Sequence, residues 1–368
     1  MFIHLHTHSN YSFLTGAIRI EELIAQAKKF KMPAIALTDL NGMYGLIDFA
    51  KLAEEERIKP ILGATIDDPN NCNFKVVLLA KNRQGYSELC KIITERQLSE
   101  NFSLIETLKN YLISEAQNLI FLNSSLEFLV QLKNEIGNIN SPDFYVELFS
   151  VSQKKSELSK IRINAKKLYE FAVENNLPFV ATNPVYFLKK EDFLLHKVLF
   201  AIKYNTTLSH IEYLINKNFS SDEINQILDK KLREQNDKYL ILNDVSKKIL
   251  SSLATEENYF KSSEEMMKLW KSLPEAIENT KRIADACNVD LEFGKYKHPK
   301  FPLPKGETSF SYLWKIAFRG LEEKYKPITQ QAVNRLQEEL NVIEQLGFAD
   351  YFLIVWDIAQ QAKRMNMM

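Results

Sequence analysis

Glycine is scarce in this 368-residue chain, with ten in all, and none sits in a phosphate-cradling loop. The closest pair is Gly42 and Gly45. No third glycine completes G-x-G-x-x-G and G-K-[ST] is absent, which argues against Rossmann-type and P-loop nucleotide binding. Cysteine is scarcer still. Cys72, Cys90 and Cys287 are far apart and odd in number, so they form neither a disulfide framework nor a zinc knuckle and read as reduced, mostly buried thiols. Neither sign of charge is in excess: 47 Lys plus Arg balance 47 Asp plus Glu, whereas a chain that holds nucleic acid by itself more often shows a basic surplus. Long apolar runs are missing too. The strongest, Tyr351 to Trp356, is far too short to span a bilayer, and Met1-Phe2-Ile3-His4 lacks the blocks of a signal peptide. No repeat or low-complexity tract is present. A cytoplasmic protein with no membrane partner is expected.

What is present is enough apolar side chain for a sizeable core: 45% hydrophobic and 11% aromatic residues against 26% charged. The length suits two domains, or one large barrel with an appendage. Short apolar runs occur at Phe2–His6, Ala34–Thr38, Ile61–Ile66, Phe74–Ala80, Leu119–Leu122, Phe144–Phe149 and Pro178–Thr182, each of strand length. Helical stripes lie between most of them, such as Ile20, Leu23, Ile24 and Ala27, or Leu158, Ile161, Ala165 and Leu168. Runs apolar on both faces, alternating with amphipathic helices, predict an α/β fold with a parallel sheet covered by helices. Seven runs suit a (β/α)7-like barrel over residues 1–200 better than an open doubly wound sheet, which gives a similar pattern.

Beyond that the strand signals fade. Residues 201–260 read as a helical connection with charge clusters such as Asp229-Lys230-Lys231. Residues 261–368 read as a third segment: a helical block from Ser262 to Cys287 with Pro274 opening its second helix, a proline-punctuated linker or strap from His298 to Pro304, and helical patterns at Ser309–Tyr325 and Ile328–Leu346 broken by Gly347. The apolar Tyr351–Trp356 run then follows and is expected to stay exposed.

Three of the six histidines fall in one run, His4-Leu5-His6-Thr7-His8-Ser9. Strict alternation places His4, His6 and His8 on one face at the C-terminal end of the first strand, where β/α barrels build active sites and where imidazole can ligate metal. The other reading is a polar barrel mouth whose imidazoles bond to their neighbours. A metal-dependent hydrolase needs carboxylates and further imidazoles at the other strand ends. Those ends offer Asp39, Thr65, Lys75, Ser125, Glu147 and Asn183-Pro184-Val185-Tyr186. Only Asp39 and Glu147 are anionic, and Lys75 would repel a cation. His196, His210 and His298 fall in helical or linker contexts, and no Ser/His/Asp or Cys/His order stands out.

The opening Phe2-Ile3-His4-Leu5-His6-Thr7-His8-Ser9-Asn10-Tyr11-Ser12-Phe13-Leu14-Thr15-Gly16-Ala17 resembles the start of the C-family bacterial replicative polymerases, the DNA polymerase III α subunits and their error-prone relatives. So do Ala36-Leu37-Thr38-Asp39 with Met43-Tyr44-Gly45, Ile58-Lys59-Pro60-Ile61-Leu62-Gly63, Val77-Leu78-Leu79-Ala80-Lys81-Asn82, Phe144-Tyr145-Val146-Glu147-Leu148, Ala181-Thr182-Asn183 and Gly347-Phe348-Ala349-Asp350-Tyr351-Phe352-Leu353-Ile354-Val355-Trp356-Asp357. The resemblance is collinear over nearly the whole chain. It implies an N-terminal PHP (polymerase and histidinol phosphatase) barrel followed by the start of a polymerase palm.

Departures from the family pattern bear on mechanism. By the resemblance, metal-binding members carry Asp at the position of Thr15, His at Leu40, Glu at Thr65, His at Lys75, Cys at Ser125, and Asp and His at Pro184 and Tyr186. His6 and His8 survive from that set and, with Asp39, are expected to be a vestigial metal site. Zinc or manganese is expected only if the PHP site is active. The resemblance also implies a Gly-Arg-Gly-Ser loop and magnesium-holding aspartates after the last motif. This sequence contains neither that loop nor any Asp-x-Asp pair, so the two-metal clamp of phosphoryl transfer is missing. The expectation is an N-terminal part of a DNA-directed DNA polymerase in DNA replication, inactive alone and acting structurally. Its partners would be the remainder of the polymerase, DNA and replisome subunits through the full-length protein, and a proofreading exonuclease. The alternative is a free-standing PHP metal-dependent phosphoesterase or 3′–5′ exonuclease.

Overall fold

The computed structural model describes residues 1–71, 73–113, 118–137, 139, 141–149, 155–216, 246, 248–249, 252–294 and 299–367. Cys72, His298, the Asp229–Lys231 cluster and much of the expected connection 201–260 lie outside the described residues. The chain divides into two units, residues 1–291 and 292–368.

The first unit is built on a six-stranded sheet in sequence order: β1 (Ala34–Leu37), β2 (Lys59–Asp67), β3 (Lys75–Ala80), β4 (Leu119–Asn123), β5 (Phe144–Phe149) and β6 (Phe179–Thr182). The expectation of a wholly parallel sheet is corrected here. β1–β2, β4–β5 and β5–β6 are parallel, but β3 runs antiparallel to both β2 and β4. The link from β2 to β3 is only residues 68–74, enough for a hairpin and too short for the helical crossover that parallel neighbours need.

The first run is also not a regular strand. It lies in the seam between the two edges of the sheet. Ala36 N donates to His4 O (2.9 Å) and Thr38 N to Thr7 O (2.8 Å) on the β1 side. On the other side His8 N donates to Val185 O (2.8 Å) and Val185 N to His6 O (3.0 Å). The chain leaving β6 thus meets the N-terminal run, which meets β1, and the ring closes.

Both sheet faces are buried, as the doubly apolar runs require. One cluster takes Val76, Leu78, Phe121, Phe144, Val146 and Ala181 against the surrounding helices. The other takes the alternate residues, Val77, Leu79, Ile120, Leu122 and Val180, with Ile3, Leu5 and Ala36 from the ring interior. The helices form where the stripes lie. α1 (Ile20–Lys29) buries Ile20, Leu23, Ile24 and Ala27. α2 (Leu46–Glu55) buries Leu46, Phe49, Ala50 and Ala53. Asn82 caps α3 (Arg83–Leu98) by accepting from Gly85 N. α4 (Leu104–Ile113) follows, then α5 (Leu126–Ile136), capped by Ser125. α6 (Lys155–Glu174), α7 (Phe193–Lys203) and α8 (Leu208–Asn216) come next. Ser125, singled out from the sequence as a strand-end residue, spends its hydroxyl on the α5 cap, accepting from Phe128 N at 3.3 Å. Cys287 is buried as expected, but Cys90 is exposed on α3.

The structure also shifts a boundary drawn from the sequence. The sequence pattern groups α9 (Ser263–Leu269) and α10 (Pro274–Ala286) with the last segment, yet they pack into the first unit. Ile283, Ala284 and Cys287 join the ring-interior cluster. Lys59 Nζ donates to Ala284 O, Asn279 Nδ2 to Phe179 O and Ile3 N to Thr280 Oγ1. These contacts involve the starts of β2 and β6, so α10 seals the end of the barrel opposite the strand C-termini. An amphipathic helix pattern reveals that a face is buried but not which partner buries it, so the sequence alone misassigned this one.

The second unit consists of α11 (Ser309–Lys324), α12 (Gln330–Gln345) and α13 (Ala349–Arg364). Thr308 and Thr329 cap the first two by accepting from Ser311 N and Ala332 N. Of the two forms expected for the proline-rich stretch it takes the strap: Phe301 N donates to Asp350 Oδ1 (2.9 Å), and Phe301 and Leu303 pack on the small core of Leu313, Leu340, Ala349 and Leu353. The expectation that Tyr351–Trp356 is left bare needs correction. The run is one amphipathic helical turn and more, with Leu353 fully buried while Tyr351, Phe352 and Val355 stay exposed.

Candidate functional site at the barrel mouth

The three N-terminal histidines do not share one face. A bend at His6 breaks the alternation on which that expectation rested. His4 points outward, stacked on Phe260 with centroids 4.5 Å apart and edge-on to Phe2. Its Nε2 donates to Lys261 O (2.9 Å). Burial pulls its pKa down to about 4, so it is a neutral core residue. His6 and His8 turn the other way, into the mouth formed by the strand ends.

There they form one connected chain of hydrogen bonds. Ser12 Oγ–H donates to Asp39 Oδ1 (2.6 Å) while the same oxygen accepts from Leu40 N (3.1 Å). A hydroxyl has a single proton, so His8 Nδ1–H must donate to Ser12 Oγ (2.9 Å). That leaves His8 Nε2 as an acceptor, and His6 Nε2–H donates to it across 3.1 Å. His6 Nδ1 lies 2.7 Å from Glu147 Oε1, which also accepts from Thr182 Oγ1 (2.7 Å). With Glu147 ionised, His6 Nδ1–H donates to it.

The electrostatics follow from burial and neighbours. Burial pushes the Glu147 carboxyl upward, but the charge of His6 and the bonds from His6, Thr182 and Ser124 outweigh it, so its pKa is lowered. His8 is held well below the usual imidazole range, by burial first and then by the charges of His6, Lys75, His196 and Lys203. Its ring also stacks on Tyr186, nearly parallel at 4.5 Å. Asp39 is buried and its pKa is raised by that burial, against the opposing bonds from Ser12 and Ser9. Ser9 donates to both Asp39 oxygens, from N at 2.7 Å and Oγ at 2.6 Å.

This donor set does not fit a metal ion. Glu147 bonds His6 Nδ1, on the far side of the ring from the Nε2 that faces His8 Nε2, so the carboxylate does not converge with the two Nε2 atoms. Asp39 reaches the histidines only through Ser12 and is committed to Ser9 and Ser12. Zinc sites take three or four convergent ligands. Among the described residues no group of three His, Cys, Asp or Glu side chains is arranged to hold a metal.

Of the residues singled out from the sequence, His6, His8, Glu147 and Tyr186 meet in the mouth, with Asp39 one hydroxyl away. Thr65 turns its hydroxyl to Thr38 O (2.9 Å). His196, set aside as helical, proves a bolt: its Nδ1–H donates to Thr15 O (2.8 Å) and its Nε2 accepts from Ala254 N (3.1 Å). His210 lies apart, 3.2 Å from Ser246 Oγ. Ser9, Ser12 and Thr182 carry the network and are not singled out by the sequence, nor is Lys203, whose Nζ donates to Thr15 Oγ1 at 3.1 Å. Only Thr182 had a signal, standing at the end of a strand two residues beyond the interior Val180.

The loop that supplies Ser9 and Ser12 depends on Gly16. A Cβ there would collide with the Ser9 carbonyl oxygen, a backbone atom that cannot rotate away. Gly16→Ala is expected to destabilise the first unit by about 1–3 kcal/mol, the usual cost of overpacking. Urea denaturation midpoints of the two proteins check this, and an unchanged midpoint would refute the tight approach.

Comparison with known proteins places this geometry in context. The PHP domain family matches residues 4–179, and the family described as bacterial DNA polymerase III alpha NTPase domain matches residues 311–368. The DNA polymerase III subunit alpha of Buchnera aphidicola subsp. Acyrthosiphon pisum is 32% identical over 100% of this chain and 30% of its own length. That of Pseudomonas fluorescens is 32% identical over 98% of the chain and 30% of its length. The error-prone DNA polymerase of Symbiobacterium thermophilum is 29% identical over 98% of the chain and 32% of its length. The chain thus spans about a third of the length of these curated relatives. No helix among the described residues is long and apolar enough to cross a membrane.

Proposed function

The chain is homologous over its whole length to the N-terminal part of the bacterial DNA polymerase III α subunits, and from that premise we propose that it works as the PHP-domain portion of a cytoplasmic DNA-directed DNA polymerase, in a structural role. Its partners in this reading are the remaining polymerase segments and, through them, DNA, replisome subunits and a proofreading exonuclease. Templated nucleotidyl transfer needs carboxylates that clamp two magnesium ions. This sequence has no Asp-x-Asp pair to supply them, so that chemistry falls to the partner segments.

The observation that carries the structural role is the closed hydrogen-bond chain Glu147–His6–His8–Ser12–Asp39. Each group that a phosphoesterase would aim at a metal is instead aimed at its neighbour, tying β5, the seam and the end of β1 together. His6, His8 and Asp39 are then fastenings of the barrel mouth rather than ligands.

The test is a hydrolysis assay with manganese or zinc on a phosphomonoester and on single-stranded DNA, comparing the protein with a His6→Ala, His8→Ala double mutant. No turnover above the double mutant is expected. Metal-dependent turnover abolished in the double mutant would instead establish the free-standing phosphoesterase or exonuclease. In the same study, primer-extension activity should co-purify with the tagged chain from its host, and its absence would count against the polymerase role.

A further inference from the structure

The loop that follows the N-terminal run is closed at its neck and gripped near its tip. Asn10 N donates to Ile18 O (2.7 Å), which joins the ends of residues 10–18, and Ala17 N donates to Tyr186 O (2.9 Å) beside that neck. A short loop with its ends joined can open as one piece while the sheet that carries it stays folded. Its inner side lies on the mouth, where Ser12 Oγ is 2.9 Å from Nδ1 of the buried His8. Its outer side faces solvent, with Phe13 80% exposed. Leu14, next in the chain, has φ 50°. That is the left-handed region, which a residue with a Cβ keeps only when its surroundings hold it there.

Asp39 holds the start of this loop through Ser9 and Ser12, and α7 holds its end. His196 and Lys203 are seven residues apart, about two helical turns, so they project from one face of α7. Both reach the residue after Leu14. His196 Nδ1–H donates to Thr15 O (2.8 Å) and Lys203 Nζ to Thr15 Oγ1 (3.1 Å). The two grips are themselves steadied. Ala254 N donates to His196 Nε2 (3.1 Å), and the Lys203 ammonium lies 5.5 and 5.6 Å from the ring centroids of Phe200 and Tyr204. The opposite side of α7, with Leu194, Leu195 and Ile202, is exposed, so the helix is packed on its gripping side. We infer that residues 10–18 are a hinged cover over the barrel mouth and that α7 is its latch, acting on both the carbonyl and the hydroxyl of Thr15. The inference rests on the closed-mouth reading given above and makes that closure conditional. With Thr15 released, Leu14 leaves its left-handed conformation, Ser12 lifts from His8 and the imidazole meets solvent, while the neck and the sheet stay in place.

Amide hydrogen exchange of the full chain tests this, read on fragments that cover residues 9–18, α1 and β5, together with the reactivity of His8 toward diethyl pyrocarbonate. Lys203→Met and Thr15→Val each remove the bond between ammonium and hydroxyl. Each is expected to speed exchange at residues 11–16 at least tenfold and to make His8 reactive, while α1 and β5 exchange as in the parent. The two together should do no more than either alone, because they delete the same bond. Thr15→Ser and Lys203→Arg, which keep it, should behave as the parent does. His196→Phe keeps a ring beside Phe187 and Phe200 but loses the grip on the carbonyl, and should open the loop further. If that variant fails to fold, Thr15→Val and Thr15→Ser carry the comparison. Exchange at residues 11–16 that is unchanged in Lys203→Met and Thr15→Val, or that rises only in step with β5, would overturn the latch and leave the structural reading of the site standing. Metal-dependent phosphoester hydrolysis by a parent whose loop responds as expected would overturn that reading and keep the latch.

Discussion

Acidification is expected to unfold the first unit well before its surface carboxylates are fully protonated. His4 and His196 are fully buried, and burial lowers each from the ordinary 6.5 to about 4. A group whose folded pKa is depressed binds its proton in the unfolded chain first. As pH falls below 6.5 the unfolded state therefore gains protons that the folded state refuses, and stability declines until pH reaches about 4. Each such shift corresponds to about 3 kcal/mol, so the pair alone removes about 6 kcal/mol, a large share of the 5–15 kcal/mol typical of a domain. His8 acts in the same direction. Glu147, with its folded pKa lowered, adds stability above its unfolded value that is lost as pH falls through the folded one. Asp39 opposes them, because its raised pKa gives a contribution present at low pH and lost as pH rises, but one carboxyl does not offset three histidines. Urea midpoints measured from pH 7.5 to 4.5 should fall steeply below pH 6.5. His4→Phe, which keeps the stack on Phe2 and Phe260, should reduce the steepness whatever it does to the midpoint at pH 7.5. A flat midpoint across that range would show that these imidazoles do not resist protonation.

The features that the sequence disclosed and those that it concealed differ in physical kind. The barrel was legible because burial on both faces leaves continuous apolar runs such as Val76–Ala80 and Leu119–Leu122, and because α1 repeats its apolar side every three or four residues. The direction of β3 was less so. An apolar run has no polarity, and only the short link at 68–74 hinted at a hairpin. The placement of α10 was concealed because its stripe, Ala276, Ile277, Thr280, Ile283 and Ala284, would look the same against any apolar surface.

At the site, residue type pointed to His6, His8, Asp39 and Glu147, the groups whose chemistry is conspicuous. Local pattern failed for the first run because one bend at His6 reverses the facing of His4, and a bend leaves no mark on hydropathy. The connecting hydroxyls of Ser9 and Ser12 could not be foreseen either. Serine is common in loops, and its role here depends on a turn held by Gly16 against the Ser9 carbonyl. Lys203 lies 188 residues beyond Thr15, to which it donates, on a helix whose end reaches the mouth only in three dimensions. What decides between a metal centre and a closed mouth was therefore carried by long-range contacts rather than by the histidine motif.

Replacing Asp39 separates these two roles most sharply. Its carboxylate is nearly inaccessible and accepts from Ser9 N, Ser9 Oγ and Ser12 Oγ. Asp39→Ala removes both acceptor oxygens, and with them three hydrogen bonds, and leaves the Ser9 amide buried without a partner. Each unsatisfied buried donor costs about 1–3 kcal/mol, so a total loss of about 3 kcal/mol or more is expected, enough to loosen the loop from Ser9 to Gly16. The loss should pass along the chain, because Ser12 then has no fixed direction for its proton and His8 Nδ1 loses its oriented acceptor. Asp39→Asn, which keeps one acceptor oxygen and the shape, should cost less than Asp39→Ala. The measurement is the urea midpoint together with amide exchange at residues 9–16, each in EDTA and again with added zinc. A fastening predicts the same loss in both buffers and the fastest exchange in the alanine variant. A metal ligand predicts a protein stabilised by zinc and an Asp39→Ala variant in which that gain is missing, and this second pattern would refute the closed-mouth reading of the site.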